Sequence, residues 1–412
     1  MLASSCQPHA ISRMPRDVVI LGSTGSVGTL ALDVVRHNPD LFRVAGLAAS
    51  GGRVALLAEQ ALEFGPDVIA VASSSAAAGL QLALNARAQD TGGAAGGCPR
   101  PQILAGPEAA AEVAAWPCDV VLNAVPGAEG LRPTLAALDA GHILALANKE
   151  SLIIGGALVK SRAGPEQIVP VDSEHSAIAQ CLRGNAAREV RRLVLTASGG
   201  PLRGRRRRDL EKVTAEQALA HPTWVVGPVI AVNCATLVNK GLEVIEAHLL
   251  FGVGFDQIVV MVHPQSVIHS LVEFTDGSAL AQVGPPDMRL PIALGLNWPD
   301  RVPGAAPAVD WTEKHEWELL ALDDCEFPAV ALARQAGERG GTSPAVYNAA
   351  NEQCVSAFLE GRLSFPAIVD TIERVMSEHK DPCTCLALDD VLAADRWARA
   401  RAAELIFAAP DP

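Results

Sequence analysis

The sequence lacks an excess of positive charge, a long apolar run, a cysteine framework and any internal repeat. Basic side chains number 33 against 46 acidic ones, a formal net charge of −13, so no overall field draws the chain to nucleic acid or to an anionic membrane. An anionic substrate must therefore be gripped locally. The one basic run, Arg205 to Arg208 in PLRGRRRRDLEK, is followed at once by acidic residues and reads as a solvated loop. No window approaches about 18 uninterrupted apolar residues, so no membrane-spanning helix is expected. The opening MLASSCQPHAISRMP has no apolar signal core and reads as a loose extension, with a fragment of a targeting peptide as the alternative. Nine cysteines show no regular spacing, and the close pair Cys383 and Cys385 has no second pair or nearby histidine to complete a zinc site. Reduced cysteines in a cytoplasmic protein are the expectation. No period marks a solenoid.

What is present is length and a change of pattern. A chain of 412 residues exceeds what one core usually supports and is expected to divide into two or three domains. DVVILGSTGSVGTLALDVVRH starts with an apolar run, turns through glycines and continues with helical periodicity in Leu30, Val34 and Val35. FRVAGLAAS (42–50), VIAVAS (68–73), VVLNAV (120–125) and HILALA (142–147) follow as strands between helical stretches, while 88–102 is rich in Gly and Pro and reads as a loop. This rhythm predicts an α/β fold with a doubly wound, Rossmann-like dinucleotide-binding domain over 16–168. From about Ile168, strand-like IVPVDS, RRLVLTAS and IVVMVHPQSVIHSLVEF alternate with helices, predicting an α+β domain over 169–300. Residues 301–325 read as a linker, and helical periodicity from 326 to 412 predicts a small C-terminal bundle.

Gly22, Gly25 and Gly28 follow the first strand and open a helix, where the backbone can approach a pyrophosphate and the helix N-terminus favours its charge. The bland alternative is a tight turn. At the end of the second strand, where an acidic residue would bind the ribose 2′-hydroxyl of NAD, the chain has Gly51, Gly52 and Arg53. An arginine there suits a 2′-phosphate, so NADP is expected over NAD.

VPVDSEH places Asp172 and Glu174 two apart at a strand end, projecting both carboxylates to one face. Two such oxygens bind Mg²⁺ or Mn²⁺ if a third carboxylate arrives from elsewhere; otherwise they are a solvated strand end. In VNCATLVNKGLEVIEAH, Glu243 is the best third ligand, because an unpaired carboxylate on an apolar helix is costly. Asn239 lies four residues before it on the same helical face, with Lys240 beside it. Further polar islands are Asn148, Lys149 and Glu150 in ALANKES, Ser198 in LTASGGP, and His221, Trp224 and Gly227 in AHPTWVVG. Each has an ordinary surface reading. Together they supply donors for a phosphate, a metal site and an aromatic cover, which is what a phosphorylated polyol needs.

GSTGSVG, LANKES, VPVDSEH, TASGGP, HPTW, NKGLEVIEA, HPQSVIHS, DGSALAQ, PDMRLPIAL and YNAANE occur in that order. From about residue 16 to the C-terminus the sequence resembles the 1-deoxy-D-xylulose 5-phosphate reductoisomerase family. The resemblance implies an NADPH-dependent enzyme of non-mevalonate isoprenoid synthesis, usually a homodimer, needing Mg²⁺, Mn²⁺ or Co²⁺. It makes Asp172, Glu174 and Glu243 the metal ligands. Lys149 and Ser173 would contact the hydroxyl and carbonyl end of the substrate. Ser198, Asn239 and Lys240 would hold its phosphate with His221, Trp224 would cover it from a lid around 218–228, and Met288 would lie beside Trp224. The cofactor would touch Thr24, Gly25, Ser26 and Val27, then Asn148, Glu150 and Gly227.

The resemblance weakens over V-G-P-V-I-A-V-N-C-A-T. Val226, Val229, Ala231, Asn233 and Cys234 stand where the family has methionine, lysine, serine, aspartate and serine. Cys234 replaces a phosphate donor, and a thiol is a weaker donor than a hydroxyl. Two alternatives stay open: a diverged member acting on another sugar or sugar phosphate, and a weakly active, NADPH-binding regulatory paralogue.

Overall fold

A computed structural model describes residues 14–90, 100–224, 227–380 and 386–408. The N-terminal extension through residue 13, most of the Gly/Pro-rich stretch (91–99), Val226 and the Cys383–Cys385 pair lie outside the described residues. Seven strands, β1 (Arg16–Leu21), β2 (Phe42–Ala49), β3 (Val68–Val71), β4 (Gln102–Ala105), β5 (Val120–Asn123), β6 (Ile143–Leu146) and β7 (Ile168–Pro170), form one sheet. All its pairings are parallel and its order is β4-β3-β2-β1-β5-β6-β7. Both faces are covered, as a parallel sheet requires. Along β1, Val18 and Ile20 enter one core while Val19 and Leu21 enter the other. The α/β, doubly wound expectation is met.

A second, mixed sheet contains β8 (Val190–Ala197), β9 (Ile258–Val262), β10 (Ile268–Phe274), β11 (Ala279–Val283) and β12 (Leu320–Ala321) in the order β11-β10-β8-β9-β12. Its inner face shares one large core with the helices Val238–Phe251, Ala329–Arg339, Ser343–Leu359, Phe365–Glu378 and Leu388–Ala408. Arg207, from the basic run, is tied to this bundle: its side chain pairs with Asp370 and its backbone N–H donates to Glu326 at 2.5 Å.

Three placements differ from the sequence pattern. The segment Ile168–Pro170 pairs with β6 and so completes the parallel sheet. The helix Arg289–Asn297 returns to that sheet, burying Ile292 and Leu296 in its core. Residues 320–321, within the expected linker, add an edge strand to the second sheet. Periodicity reports which faces are apolar but not which sheet receives them. Among the described residues no single helix is long and apolar enough to cross a membrane. The apolar helices Pro228–Thr236 and Val238–Phe251 meet at an 87° corner at Leu237, whose φ is +63°.

Candidate active site

Asp172 and Glu174 do not sit on a strand. β7 ends at Pro170, and Asp172 caps the helix Ser173–Cys181, accepting from the Ser173 N–H at 3.0 Å, with Glu174 in the first turn. The expected strand alternation therefore does not aim these side chains; a helix cap and its first turn do. Glu243 comes from the helix Val238–Phe251 as anticipated, fully buried. Asp172, Glu174 and Glu243 each present an oxygen within 4.8 Å of the others. Two lysines fill the space between them. Lys149, from the first turn of the helix Lys149–Arg162, pairs with Asp172 and lies 3.2 Å from Glu243 Oε1; Lys240 lies 2.6 Å from Glu174 Oε1 and pairs with Glu243. Asn239 Nδ2 donates to Glu243 Oε1 at 2.5 Å, and Asn239 Oδ1 accepts from Lys149 Nζ at 3.0 Å. Ser173 Oγ donates to Glu174 at 2.5 Å.

The electrostatics follow from three carboxylates meeting two ammonium groups out of water. Burial, then the neighbouring Glu174, push Glu243 up to about 7. Burial acts on Asp172 too, but Lys149 overrides it and holds the group down at about 2. Against burial, Lys240 keeps Glu174 below its usual value, while Asp172 and Glu243 hold Lys149 well above its own. One negative charge remains over, and oxygen ligands at this spacing fit a small divalent cation.

Beside the cluster, backbone geometry sets the next group of polar residues. Leu237, in the left-handed region, costs roughly 1–2 kcal/mol and turns the chain so that Asn239 and Lys240 stand in the first turn of a new helix. A helix N-terminus favours an anion. Gly200, at φ +65°, lies so close to the preceding helix that a Cβ would fall 2.7 Å from the Cys234 carbonyl, which joins the Ser198 turn to Cys234. His221 Nδ1 accepts from the N–H groups of Thr223 and Trp224 at 3.2 and 3.0 Å, so its Nε2 carries the proton and donates to Ser198 Oγ at 3.1 Å. Trp224 meets the His269 ring edge-on at 6.2 Å. Burial pushes the Cys234 thiol up to about 12, so it stays protonated and is no nucleophile at neutral pH. Val229 is exposed, whereas Asn233, four residues on, is buried against Asn351, so neither needs an ion pair with the other. Met288 starts the helix Arg289–Asn297 and packs on the core of the parallel sheet, which does not tie it to Trp224.

In the turn after β1, Gly22 has φ +81° and a Cβ on Gly28 would fall 2.2 Å from the Gly22 carbonyl. Gly25 caps the helix Ser26–His37 with no side-chain bond to its first N–H groups. Those amides, at Ser26, Val27 and Gly28, are left for an outside anion, so the cradle fits a pyrophosphate. Arg53 Nη1 donates to the Thr24 carbonyl at 2.7 Å, placing the guanidinium beside this turn, and Gly51 is at φ +97°. Asn148 caps the Lys149 helix through Ser151 N–H at 2.9 Å and donates to Glu150 at 2.9 Å. Gly227 opens the helix Pro228–Thr236 from an exposed position.

Residues 18–156 match the family described as 1-deoxy-D-xylulose 5-phosphate reductoisomerase, 168–251 its C-terminal domain, and 283–401 the DXP reductoisomerase C-terminal domain. The 1-deoxy-D-xylulose 5-phosphate reductoisomerase of Kitasatospora griseola is 60% identical over 94% of this chain and 99% of its own length. The chain belongs to the 1-deoxy-D-xylulose 5-phosphate reductoisomerase family. The protein of that name from Streptomyces coelicolor is 58% identical, covering 95% of this chain and 93% of its own. The Zymomonas mobilis enzyme, solved in complex with NADPH, superposes with a TM-score of 0.86 at 39% identity, covering 96% of this chain and 100% of that one. A reductoisomerase solved with NADPH, fosmidomycin and magnesium gives 0.85 at 35% identity over 95% and 98%.

Within this reductoisomerase-family fold, two buried residues beside the carboxylates escaped the sequence reading. His175 Nε2 donates to the Glu243 carbonyl at 2.9 Å, and its Nδ1 lies 3.2 Å from Glu246, which is fully buried. Burial raises Glu246 well above an ordinary carboxyl and lowers His175 to about 4. Glu246, three residues after Glu243, is likewise an acid on an apolar helix, the same mark in the sequence.

Proposed function

We propose that this protein catalyses the NADPH- and divalent-metal-dependent rearrangement and reduction of 1-deoxy-D-xylulose 5-phosphate to 2-C-methyl-D-erythrose 4-phosphate. The observation that carries this is the convergence of Asp172, Glu174 and Glu243 with Lys149 and Lys240, next to a helix N-terminus, in a member of this family. Asp172, Glu174 and Glu243 would hold Mg²⁺ or Mn²⁺, with Co²⁺ as a further choice, and the glycine turn from Gly22 to Gly28 with Arg53, Asn148 and Glu150 would hold NADPH. A bound divalent ion supplies Lewis acidity at the ketone oxygen, and bound NADPH supplies the hydride.

The protein's own groups do the rest. Lys149 and Ser173 orient the ketone and hydroxyl end, and the Lys149 ammonium steadies oxyanion character while the carbon skeleton breaks and re-forms one carbon-carbon bond. Ser198, Asn239, Lys240, Cys234 and His221 grip the phosphate, so binding energy far from the reacting carbons fixes their alignment. Trp224 and the chain around it cover the substrate and exclude water from the aldehyde before it is reduced. Residues 16–168 would serve the cofactor and 169–300 the metal and substrate, joined by the connector 301–325 to the C-terminal helices of 326–412, which pack on the core of the second sheet.

The test is NADPH oxidation by purified protein given 1-deoxy-D-xylulose 5-phosphate and Mg²⁺ or Mn²⁺. Metal-dependent turnover that Glu243→Gln removes is the expected result; no turnover with either ion would sink the assignment. The two alternative readings lose ground because the carboxylate cluster is complete and the relatives are alike over nearly the whole chain. We also place the protein in the cytoplasm as a homodimer. For the dimer, the edge strand β11 offers an unpaired backbone edge and Leu280, 48% exposed, to a second copy, and light scattering at micromolar concentration checks it.

A further inference from the structure

The motif YNAANE is left without a role by the site described so far. It lies on the helix Ser343–Leu359, and Tyr347, Asn348 and Asn351 are buried. Tyr347 donates to the Ala329 carbonyl at 3.1 Å and Asn348 to Glu352 at 2.8 Å, ties internal to the C-terminal helices. Asn351 differs. Its Nδ2 donates to Asn233 Oδ1 at 3.0 Å, a buried bond between positions 118 residues apart, and its own Oδ1 has no partner among the described residues. A buried amide that reaches out of its own bundle to one acceptor carries a desolvation cost that packing alone would not require.

Asn233 stands next to Cys234 on the helix Pro228–Thr236, whose opening turn is exposed at Val229 and Ile230 (44% and 45%). That helix is therefore oriented by its later residues. On one side the Gly200 turn packs against Cys234 and Ala235; on another the Asn351 amide holds Asn233. We propose that Asn351 is a positioning residue for the phosphate end of the site, acting through Asn233 to fix the helix that presents Cys234. The C-terminal helices thereby set substrate affinity without touching substrate. The inference rests on the placing of Cys234 at the phosphate.

The test compares the parent with Asn351→Ala, Asn233→Ala, their double variant and Cys234→Ala in four readouts. These are KM and kcat for 1-deoxy-D-xylulose 5-phosphate, the competitive Ki of inorganic phosphate, and the Kd of Mn²⁺ by calorimetry. Each asparagine variant should raise KM and the phosphate Ki together by roughly tenfold, with kcat moved less than twofold and Mn²⁺ affinity kept. The double variant should be no worse than either single one, because both remove the same bond. A general loss of structure would instead lower kcat and Mn²⁺ affinity in parallel, and additive or absent KM effects would equally overturn the proposal. Asn233→Ala reaches the bond from the other helix should Asn351→Ala fail to fold. If Cys234→Ala leaves the phosphate Ki unchanged, the placing of Cys234 fails; if Cys234→Ala moves it and the asparagine variants do not, the link through Asn351 fails.

Discussion

Replacing Glu243 by glutamine should make the metal-free protein more stable while destroying its metal site. Asp172, Glu174 and Glu243 bring three negative charges to two ammonium groups, so one charge is left uncompensated in a site where Glu243 is fully buried. Burial, and after it the neighbouring Glu174, lift Glu243 from 4.5 to about 7. A carboxyl raised in the fold contributes stability below its unfolded value and loses it as pH rises through the folded one. At pH 8 the ionised group therefore costs up to about 3 kcal/mol. Glutamine removes that cost, gives up the bond from Lys240, and leaves each lysine one carboxylate, Asp172 for Lys149 and Glu174 for Lys240. The net gain is about 1–2 kcal/mol, or roughly 1–2 °C in Tm for a chain of this length. Thermal unfolding at pH 8 with a chelator measures it, and at pH 5 the gap should close. With Mn²⁺ at a hundred times its Kd, the parent should gain about 2.7 kcal/mol and the variant almost nothing. A variant that melts below the parent in chelator at pH 8, or that responds to Mn²⁺ as the parent does, refutes the reasoning.

Other perturbations probe the remaining parts. Cys234→Ser restores a hydroxyl donor at the phosphate and should lower KM about tenfold with kcat little changed; steady-state kinetics would show it. Gly28→Ala puts a methyl 2.2 Å from the Gly22 carbonyl, so NADPH affinity, read by fluorescence titration, should fall by roughly a hundredfold or more. Burial lowers His221, whose Nδ1 accepts from two N–H groups. Its contribution is present above its unfolded value near 6.5 and is lost as pH falls through the lower folded one. KM should therefore rise in acid, and a His221→Gln variant should lose that dependence.

The glycine turn, the strands that flank it and the helical C-terminus were legible because each is a local pattern. β4 was not: Gln102–Ala105 is four residues long and follows a Gly/Pro-rich stretch. β7 was legible as a strand but not as a member of the first sheet, since a buried strand carries no mark of its partner. The cluster was legible in part. Glu243 betrayed itself as an acid among apolar neighbours, but its meeting with Lys149, 94 positions away, is a product of two helices crossing. The D-x-E spacing pointed to residues that do converge with Glu243, but by a helix cap and not by strand alternation, because a cap and a strand end can bear the same letters. Asn351 and Asn233 look like ordinary polar residues in sequence; only packing makes them a pair.

The corner at Leu237 has a consequence for synthesis. Its two arms together pass for a membrane span by length and composition, and residues 228–251 made straight would form a rod of about 36 Å, enough to cross a bilayer core. The helices that cover the second arm, Ala329–Arg339 and Ser343–Leu359, leave the ribosome roughly 80 to 100 residues later, about 4–20 s at ordinary elongation rates. For that interval the nascent chain presents one of its most apolar stretches without its cover. Lys240, Glu243 and Glu246 in the second arm weaken that stretch as an insertion signal.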